Sequence, residues 1–232
     1  MTAAPSNMTL ILGSTVEAPA APPTIPIVRT GVLKRLIDVS ASLAVLALFA
    51  PVGVLVALAI RVTSPGPIFF RQKRVGRGLR TFDVLKFRTM THVDRSVPQG
   101  PLIGRAEGVT AVGYWLRRLK IDELPQILNV LWGDMSLVGP RPSVPAQLAD
   151  TSWEDQQRYC IRPGITGLAQ VSGNIHLPWP ERFKYDLYYV RRRTLWLDVR
   201  IIVRTILVIV RGEAFFVDRP LVHLGDEATA NA

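Results

Sequence analysis

Residues 33–61 read LKRLIDVSASLAVLALFAPVGVLVALAIR, and this stretch decides how the rest of the chain is arranged. Within it, Val39–Ile60 contains 22 residues without a charged side chain. A helix of about 20 apolar residues is long enough to cross a bilayer. However, Pro51 lies near the middle of the run, and a proline removes a backbone donor and clashes with the preceding turn. The sequence therefore predicts a membrane helix that is kinked or broken at Pro51.

Basic residues flank this helix on both sides, with Lys34 and Arg35 before it and Arg61 after it. Because positive charges favour the cytoplasmic side of a membrane, both ends are expected on that side. Each half has about ten residues, or roughly 15 Å of helix, which is too short to cross about 30 Å of hydrocarbon. We therefore predict a re-entrant helix over residues 31–62. A straight span and a buried core helix remain as alternatives.

The composition indicates anionic partners. The 232 residues include 28 Lys and Arg against 18 Asp and Glu, which gives a formal net charge of +10. Phosphate groups, lipid headgroups and nucleic acid all suit such a charge, but a mean hydropathy of +0.23 favours a membrane. Cys160 is the only cysteine, so an intramolecular disulfide is excluded, in keeping with a reducing compartment.

The remaining segments indicate an α+β fold that is mostly helical. Residues 1–30 are rich in Ala, Pro, Ser and Thr and are predicted to be a disordered tail. Two short β-prone runs, Ile68–Gln72 and Phe82–Phe87, flank glycines and predict a small β-hairpin. Residues 91–108 are predicted to be a mobile loop, 63–212 to be the globular domain, and 213–232 to be a C-terminal tail.

One late helix has a mixed character. Leu195–Val210 is apolar, but Asp198, Arg200 and Arg204 interrupt it. It is too charged to span a membrane and suits an amphipathic helix lying at the membrane interface. An ordinary core helix is an equally good interpretation.

Residues 115–126, WLRRLKIDELPQ, place two carboxylates side by side at Asp122 and Glu123. Since proline is tolerated in the first turn of a helix, Pro125 predicts that Asp122 lies at or near a helix N-cap. Asp122 can then be a structural cap. Alternatively, a phosphate group binds at the helix start, and the carboxylate acts as nucleophile or metal ligand.

A carboxylate that attacks a phosphate group meets anion–anion repulsion, which cations must offset. Arginine forks are the best protein donors to phosphate oxygens, and Mg²⁺, bound by oxygen ligands that include Asp122, would neutralise further charge. From the residues alone, phosphoryl transfer and simple capping remain equal rivals. The candidate phosphate-binding residues are Arg74, Arg88, Arg117 and Arg141, the last held between two prolines.

Long segments of the chain resemble the bacterial sugar transferases, specifically the monotopic phosphoglycosyl transferases in their minimal single-domain form. The resemblance covers about Val32–Gly212. The segments are LKRLID at 33–38, SPGPIFFRQKRVG at 64–76, FDVLKFRTM at 82–90, RRLKIDELPQILNVLWGDMSLVGPRP at 117–142 and RPGITGLAQVSG at 162–173.

The resemblance implies that Asp122 attacks the β-phosphate of a nucleotide-activated sugar, usually a UDP-sugar, and releases UMP. The sugar phosphate on Asp122 then passes to a polyprenol phosphate, typically undecaprenyl phosphate. Glu123 is implied to orient groups or handle the proton, Mg²⁺ to be required, and Arg117 and Arg141 to lie near the phosphates. This would be the first membrane step in assembling an exopolysaccharide, O-antigen or other glycoconjugate.

The resemblance also implies that Lys34, Arg35 and Asp198 form a charged set that anchors the membrane helix, which has Pro51 at its bend. We predict a salt bridge between the Lys34–Arg35 pair and Asp198. The protein is expected at the bacterial inner membrane, among its lipids, with the domain at 63–212 catalytic and facing the cytoplasm. No nucleic-acid partner is expected, since no reading module is recognised, and a homo-oligomer is left open. A non-catalytic membrane scaffold and a basic nucleic-acid-binding protein are the rival interpretations.

Overall fold

The computed structural model describes residues 25–91, 108–149 and 151–224. It confirms an α+β fold in which helices predominate and a small antiparallel hairpin is the longest sheet. The elements are α1 (Val32–Thr63), β1 (Phe69–Val75), β2 (Thr81–Phe87), α2 (Ala111–Arg118), α3 (Gln126–Trp132), β3 (Ser136–Val138), α4 (Trp153–Gln156), β4 (Gly164–Thr166), α5 (Leu168–Val171), α6 (Trp179–Arg192) and α7 (Leu195–Arg211).

Helix α1 runs without interruption for 32 residues and includes Pro51. The helix is therefore not broken at Pro51, because the Ala- and Leu-rich turns on both sides favour helix and proline removes only one donor. The kink at Pro51 stays a prediction. In the described chain, α1 is the helix long and apolar enough to cross a membrane, with a length of roughly 48 Å. Only 6% of its most apolar window is buried, so the buried core helix considered above is wrong.

Both ends of α1 contact the same globular domain. Near its start, Asp38 and Ser42 are buried, and Arg35 donates from Nη1 to the carbonyl of Val130 in α3 at 2.7 Å. Near its end, Ile60 packs with Phe87 in a small apolar cluster. Between these contacts, most of the helix is exposed.

The predicted hairpin is present, with strands that are longer than expected. β1 and β2 pair antiparallel from Phe69 opposite Phe87 to Val75 opposite Thr81. The hairpin is fixed to the following helix by Asn129 of α3. Its Oδ1 accepts from the Leu85 amide at 3.0 Å, and its Nδ2 donates to the Asp83 carbonyl at 2.8 Å. Asn129 therefore joins the hairpin to α3, the helix that comes shortly after the segment carrying Asp122.

Helix α7 combines the two interpretations that its sequence allowed. Leu197, Ile201 and Val208 are buried in the main core, with Tyr189 of α6. The opposite face is apolar and exposed, as shown by Trp196 at 70% and by the other exposed residues Val199, Val203, Ile206 and Val210. The helix therefore packs on the core and also presents a surface suited to a membrane interface.

Two predicted tails are partly packed. Ile25 is buried in the main core, and the Val28 amide donates to the Cys160 carbonyl at 2.9 Å. After α7, Phe216 is 2% exposed, so the segment 213–224 lies against the domain. The predicted disorder of residues 1–24 and most of the predicted loop at 91–108 lie outside the described residues.

Candidate active site

Asp122 and Glu123 lie in a short 3₁₀ turn, Ile121–Glu123, between α2 and α3. Asp122 was expected at or near a helix N-cap, and the alternative in which it caps the next helix is wrong, since α3 begins only at Gln126 with Pro125 at the N-cap. The reason is that 3₁₀ bonds from Glu123 and Leu124 to the two residues before Asp122 close a separate turn first. Asp122 is therefore not used as a helix cap.

Asp122 is a buried residue, yet no described residue bonds to its carboxylate. The residue is 8% exposed and accepts no hydrogen bond or ion pair in the described chain. Burial raises the pKa of Asp122, and the neighbouring Glu123 charge raises it further, while the cations Lys86, Lys120 and Arg117 act in the opposite direction. Its lone pairs are available to an incoming group.

Glu123 is in the opposite situation. Its Oε1 accepts from Lys86 Nζ at 2.6 Å and from Arg141 Nη2 at 3.0 Å. Burial alone would raise the pKa of Glu123, but the charges and hydrogen bonds of Arg141 and Lys86 hold it well below its usual range. In turn, Glu123 raises the pKa of Arg141. One carboxylate is fixed and ionised, and its neighbour is free.

Besides Arg141, two more of the predicted arginines lie near this pair. Arg117 lies in the last turn of α2 and donates from Nε to Thr89 Oγ1 at 2.9 Å. Burial lowers the pKa of Arg117, and the charge of Asp122 opposes that shift. Arg74 donates to the Pro142 carbonyl at 3.1 Å. Burial, together with the charge of Arg141, lowers the pKa of Arg74 to about 10.

Arg88 is placed differently from the other candidates. Its Nη2 donates to the Ser64 carbonyl at 2.6 Å and its Nη1 to the Pro65 carbonyl at 2.9 Å. These bonds tie the chain after α1 to the end of the hairpin. The structure does not bring this guanidinium to the two carboxylates, and phosphate binding by Arg88 stays a prediction.

The predicted anchoring salt bridge is confirmed for Lys34. Its Nζ lies 2.8 Å from Asp38 Oδ1 and 3.1 Å from Asp198 Oδ2. Ser136 and Tyr189 donate to the remaining oxygens of the two carboxylates, each at 2.7 Å. Arg35 does not join this network. It donates to the last carbonyls of α3, where a cation also complements the helix dipole.

Sequence reasoning did not single out Lys86 or Glu213 as site residues. Lys86 lies near the end of β2, among Val84, Leu85 and Phe87. A lysine within this otherwise apolar run was the signal available in the sequence. Glu213 follows α7, and its Oε1 accepts from Lys120 Nζ and from Asn174 Nδ2, both at 2.8 Å. No local pattern indicates these two bonds to Glu213, because Lys120, Asn174 and Glu213 are far apart in the chain.

The carboxylates fit a magnesium ion only in part. The described residues contain no group of three or more His, Cys, Asp and Glu side chains that could hold a metal. Mg²⁺ is usually held by one or two carboxylates with water and substrate phosphates. Asp122 has the free oxygens for such a role, whereas Oε1 of Glu123 is already taken by two cations.

A carboxylate without a bonding partner among cations suits chemistry on phosphate groups, and the exposed apolar helix of the same domain suits a membrane. The chain belongs to the bacterial sugar transferase family, whose sequence model matches residues 29–212. It is therefore a sugar transferase, as the resemblance indicated.

Proteins similar to this chain include some that are named for an activity or a role. The UDP-glucose:undecaprenyl-phosphate glucose-1-phosphate transferase of Caulobacter vibrioides is 45% identical over 192 residues, 78% of this chain and 71% of that protein. A Xanthomonas campestris protein of the same name is 45% identical over 177 residues, 70% of this chain but only 36% of its own length. The exopolysaccharide production protein PSS of Rhizobium leguminosarum is 39% identical over 204 residues, 79% of this chain and 98% of that protein.

Proposed function

We propose that this protein transfers a sugar 1-phosphate from a UDP-sugar to undecaprenyl phosphate through a covalent aspartyl intermediate. The family and the names of the Caulobacter and Xanthomonas relatives support the substrates. The observation on which the intermediate rests is the contrast between Asp122, buried without a partner, and Glu123, bonded to two cations.

In the first step, a carboxylate oxygen of Asp122 bonds to the β-phosphorus of the UDP-sugar. The bond from that phosphorus to the oxygen bridging the α-phosphate breaks, and UMP leaves with the electron pair. In the second step, a phosphate oxygen of undecaprenyl phosphate attacks the same phosphorus. The Asp122 carboxylate is released, and the product is a lipid diphosphate sugar.

The cations around the pair suit this chemistry because preorganised charge lowers the barrier where negative charge accumulates. Glu123 holds the Lys86 and Arg141 side chains in place, and Arg117 is held by Thr89. Mg²⁺, when bound through Asp122 and the substrate phosphates, would neutralise part of the diphosphate charge. The protein positions cations before the substrate arrives and so offsets the repulsion between carboxylate and phosphate.

We also propose that α1 is re-entrant and that the domain faces the cytoplasm at the bacterial inner membrane. Asp38 and Ile60, near opposite ends of α1, both contact one globular domain, which favours both ends on one side of the membrane. Exposed tryptophans, which favour the membrane–water interface, lie on three helices as Trp115, Trp132 and Trp196.

The function is tested by following UMP release from a set of UDP-sugars in detergent with undecaprenyl phosphate present. Wild-type protein should release UMP from at least one sugar, and Asp122→Asn should slow release by at least about a thousandfold. Asp83→Asn is the matched control, since its carboxylate lies on an exposed residue of β2. A chain that releases no UMP from any UDP-sugar would instead be the non-catalytic scaffold.

A further inference from the structure

A polar cavity of about 670 Å³ lies at the turn end of the hairpin. The segment before α1, the hairpin turn and the residues that follow α3 line it. Thr81 lines this cavity, whereas Lys86 of the carboxylate site lies five residues further along β2, or roughly 17 Å away. The charged residues that line it are Arg29, Arg77, Arg80, Arg162 and Asp134.

Arg162 is held in position inside this arginine-lined cavity. Its Nε donates to the Gly133 carbonyl at 2.7 Å, and its Nη1 donates to Thr30 Oγ1 at 3.0 Å. In the described chain its Nη2 has no hydrogen-bond acceptor. Burial lowers the pKa of Arg162, and the nearby charges of Arg77 and Arg35 lower it further. A fixed, partly buried guanidinium thus has free donors and like-charged neighbours.

The other cations of the cavity also lack a carboxylate partner. Within the described ranges, Arg29, Arg77 and Arg80 form no ion pair and no side-chain hydrogen bond. Four guanidinium groups therefore face the single carboxylate of Asp134. Like charges at close range repel, so an anion that enters the cavity is stabilised by all four. Guanidinium forks match the oxygens of a phosphate group in particular.

The residues beside the cavity indicate its depth in a membrane. Thr30 lines the cavity, and the residues that follow, Val32 and Leu33, are apolar and 77% and 60% exposed. On the other side, Trp132 is 63% exposed and directly precedes Gly133, which also lines the cavity. Exposed apolar side chains and tryptophan together mark the membrane–water interface, where lipid phosphates lie.

We infer that the arginine-lined cavity binds a phosphate group, supplied by an anionic lipid headgroup or by a soluble phosphate. The inference stands apart from the transferase chemistry, because none of the carboxylate-site residues lines the cavity. A bound headgroup would hold the start of α1 against the lipid surface.

Binding is measured by native mass spectrometry of the full chain in neutral detergent, titrated with phosphatidylglycerol in one arm and inorganic phosphate in the other. The test variant is Arg77→Ala/Arg80→Ala. The matched control, Arg71→Ala/Lys73→Ala, removes two charges from exposed positions of the same hairpin. We expect at least about a tenfold loss of affinity in the test variant and less than about twofold in the control.

The two arms identify the source of the phosphate group. Saturable binding of phosphatidylglycerol with no binding of inorganic phosphate supports the lipid headgroup, and binding in both arms supports a general phosphate site. No saturable binding in either arm, or equal losses in the test and control variants, would overturn the inference, since surface charge alone would then explain the attraction.

A second variant changes binding in the opposite direction and does not remove an arginine. Asp134→Asn deletes the carboxylate that lines the cavity, so it should tighten phosphate binding severalfold. Its UMP release should equal that of wild-type protein, which shows that the variant is folded. Unchanged or weaker binding by a folded Asp134→Asn protein would contradict the inference.

Discussion

Arg158 donates from Nη2 to the main-chain carbonyl of Arg141 at 3.0 Å. The same guanidinium bonds to Ser143 Oγ and, through Nη1 at 2.6 Å, to the buried carboxylate of Asp186. It also lies 4.5 Å from the ring centre of Phe183. A buried ion pair thus holds the segment that presents the Arg141 side chain to Glu123, so Arg158 and Asp186 are positioning residues for the carboxylate site.

Replacing Arg158 should therefore lower both stability and activity. Arg158→Met leaves the Asp186 carboxylate buried without its partner, which costs about 3–5 kcal/mol at neutral pH. Burial already raises the pKa of Asp186 to about 6. In the variant, the free-energy cost of ionising this carboxyl in the folded protein therefore grows as the pH rises above the pKa of Asp186 in the unfolded chain. Thermal unfolding at several pH values should show the largest deficit at neutral pH and a smaller one in acid.

The double variant Arg158→Met/Asp186→Leu separates the two effects. With both charges gone, the free energy of unfolding should recover, because a buried pair is often replaced by apolar residues without loss. UMP release should stay low, since the Arg141 carbonyl has still lost its donor. Full recovery of both properties would show that Arg158 does not position Arg141.

The two adjacent carboxylates should respond oppositely to isosteric replacement. Asp122→Asn removes a buried charge that has no partner, so its melting temperature should equal or exceed that of wild-type protein. Glu123→Gln leaves Lys86 and Arg141 without their anion and should lower the free energy of unfolding by about 1–3 kcal/mol. Thermal unfolding in detergent compares them, and a clear loss of stability in Asp122→Asn would mean that its carboxylate has a structural partner.

The pH dependence of UMP release should report the protonation of Asp122. Burial and the charge of Glu123 raise the pKa of Asp122 above the ordinary value of 3.8, so the ionised nucleophile is lost at a higher pH than for an ordinary aspartate as the pH falls. Glu123 stays ionised over that range, because its pKa is held well below 4.5. Initial rates against pH should therefore show an acid limb with the slope of a single proton.

Lys86→Met supplies the control for this assignment. Since Lys86 lowers the pKa of Asp122, removing it should move the acid limb to higher pH as well as reduce the rate. Asp83→Asn should leave the limb in place. A limb that does not move in Lys86→Met would assign it to another group.

Much of the fold follows from local patterns in the sequence. The charge-free run from Val39 to Ile60 predicts the long helix, because a helix that is apolar on all sides is either buried in a core or placed in a membrane. The hairpin follows from two β-prone runs around Gly78, which has a φ of 65° in the turn. The continuity of α1 through Pro51 does not follow, since it depends on how strongly the flanking turns favour helix.

The sequence predicted which residues belong to the site better than it predicted how they are arranged. The adjacency of Asp122 and Glu123, together with the family resemblance, identified the pair. The sequence did not show that Asp122 has no bonding partner while Glu123 bonds to Lys86 and Arg141. Lys86 lies in a strand 37 residues before Glu123, and Arg141 lies in a loop 18 residues after it. Such long-range contacts leave no periodic signal.

The re-entrant arrangement of α1 makes a prediction about accessibility. In a Cys160→Ala background, Pro26→Cys before the helix and Lys73→Cys after it both place a thiol on an exposed residue. Both should react with a membrane-impermeant maleimide in inside-out vesicles and neither in intact cells. Labelling of the two positions from opposite sides would show a straight span instead.

The most direct measurement is the mass of the protein after brief incubation with a reactive UDP-sugar and no lipid acceptor. A sugar phosphate should be found on the peptide that contains Asp122, should be absent from Asp122→Asn, and should disappear when undecaprenyl phosphate is added. An adduct on a different side chain, or wild-type turnover by Asp122→Asn, would contradict the role of this carboxylate as the nucleophile.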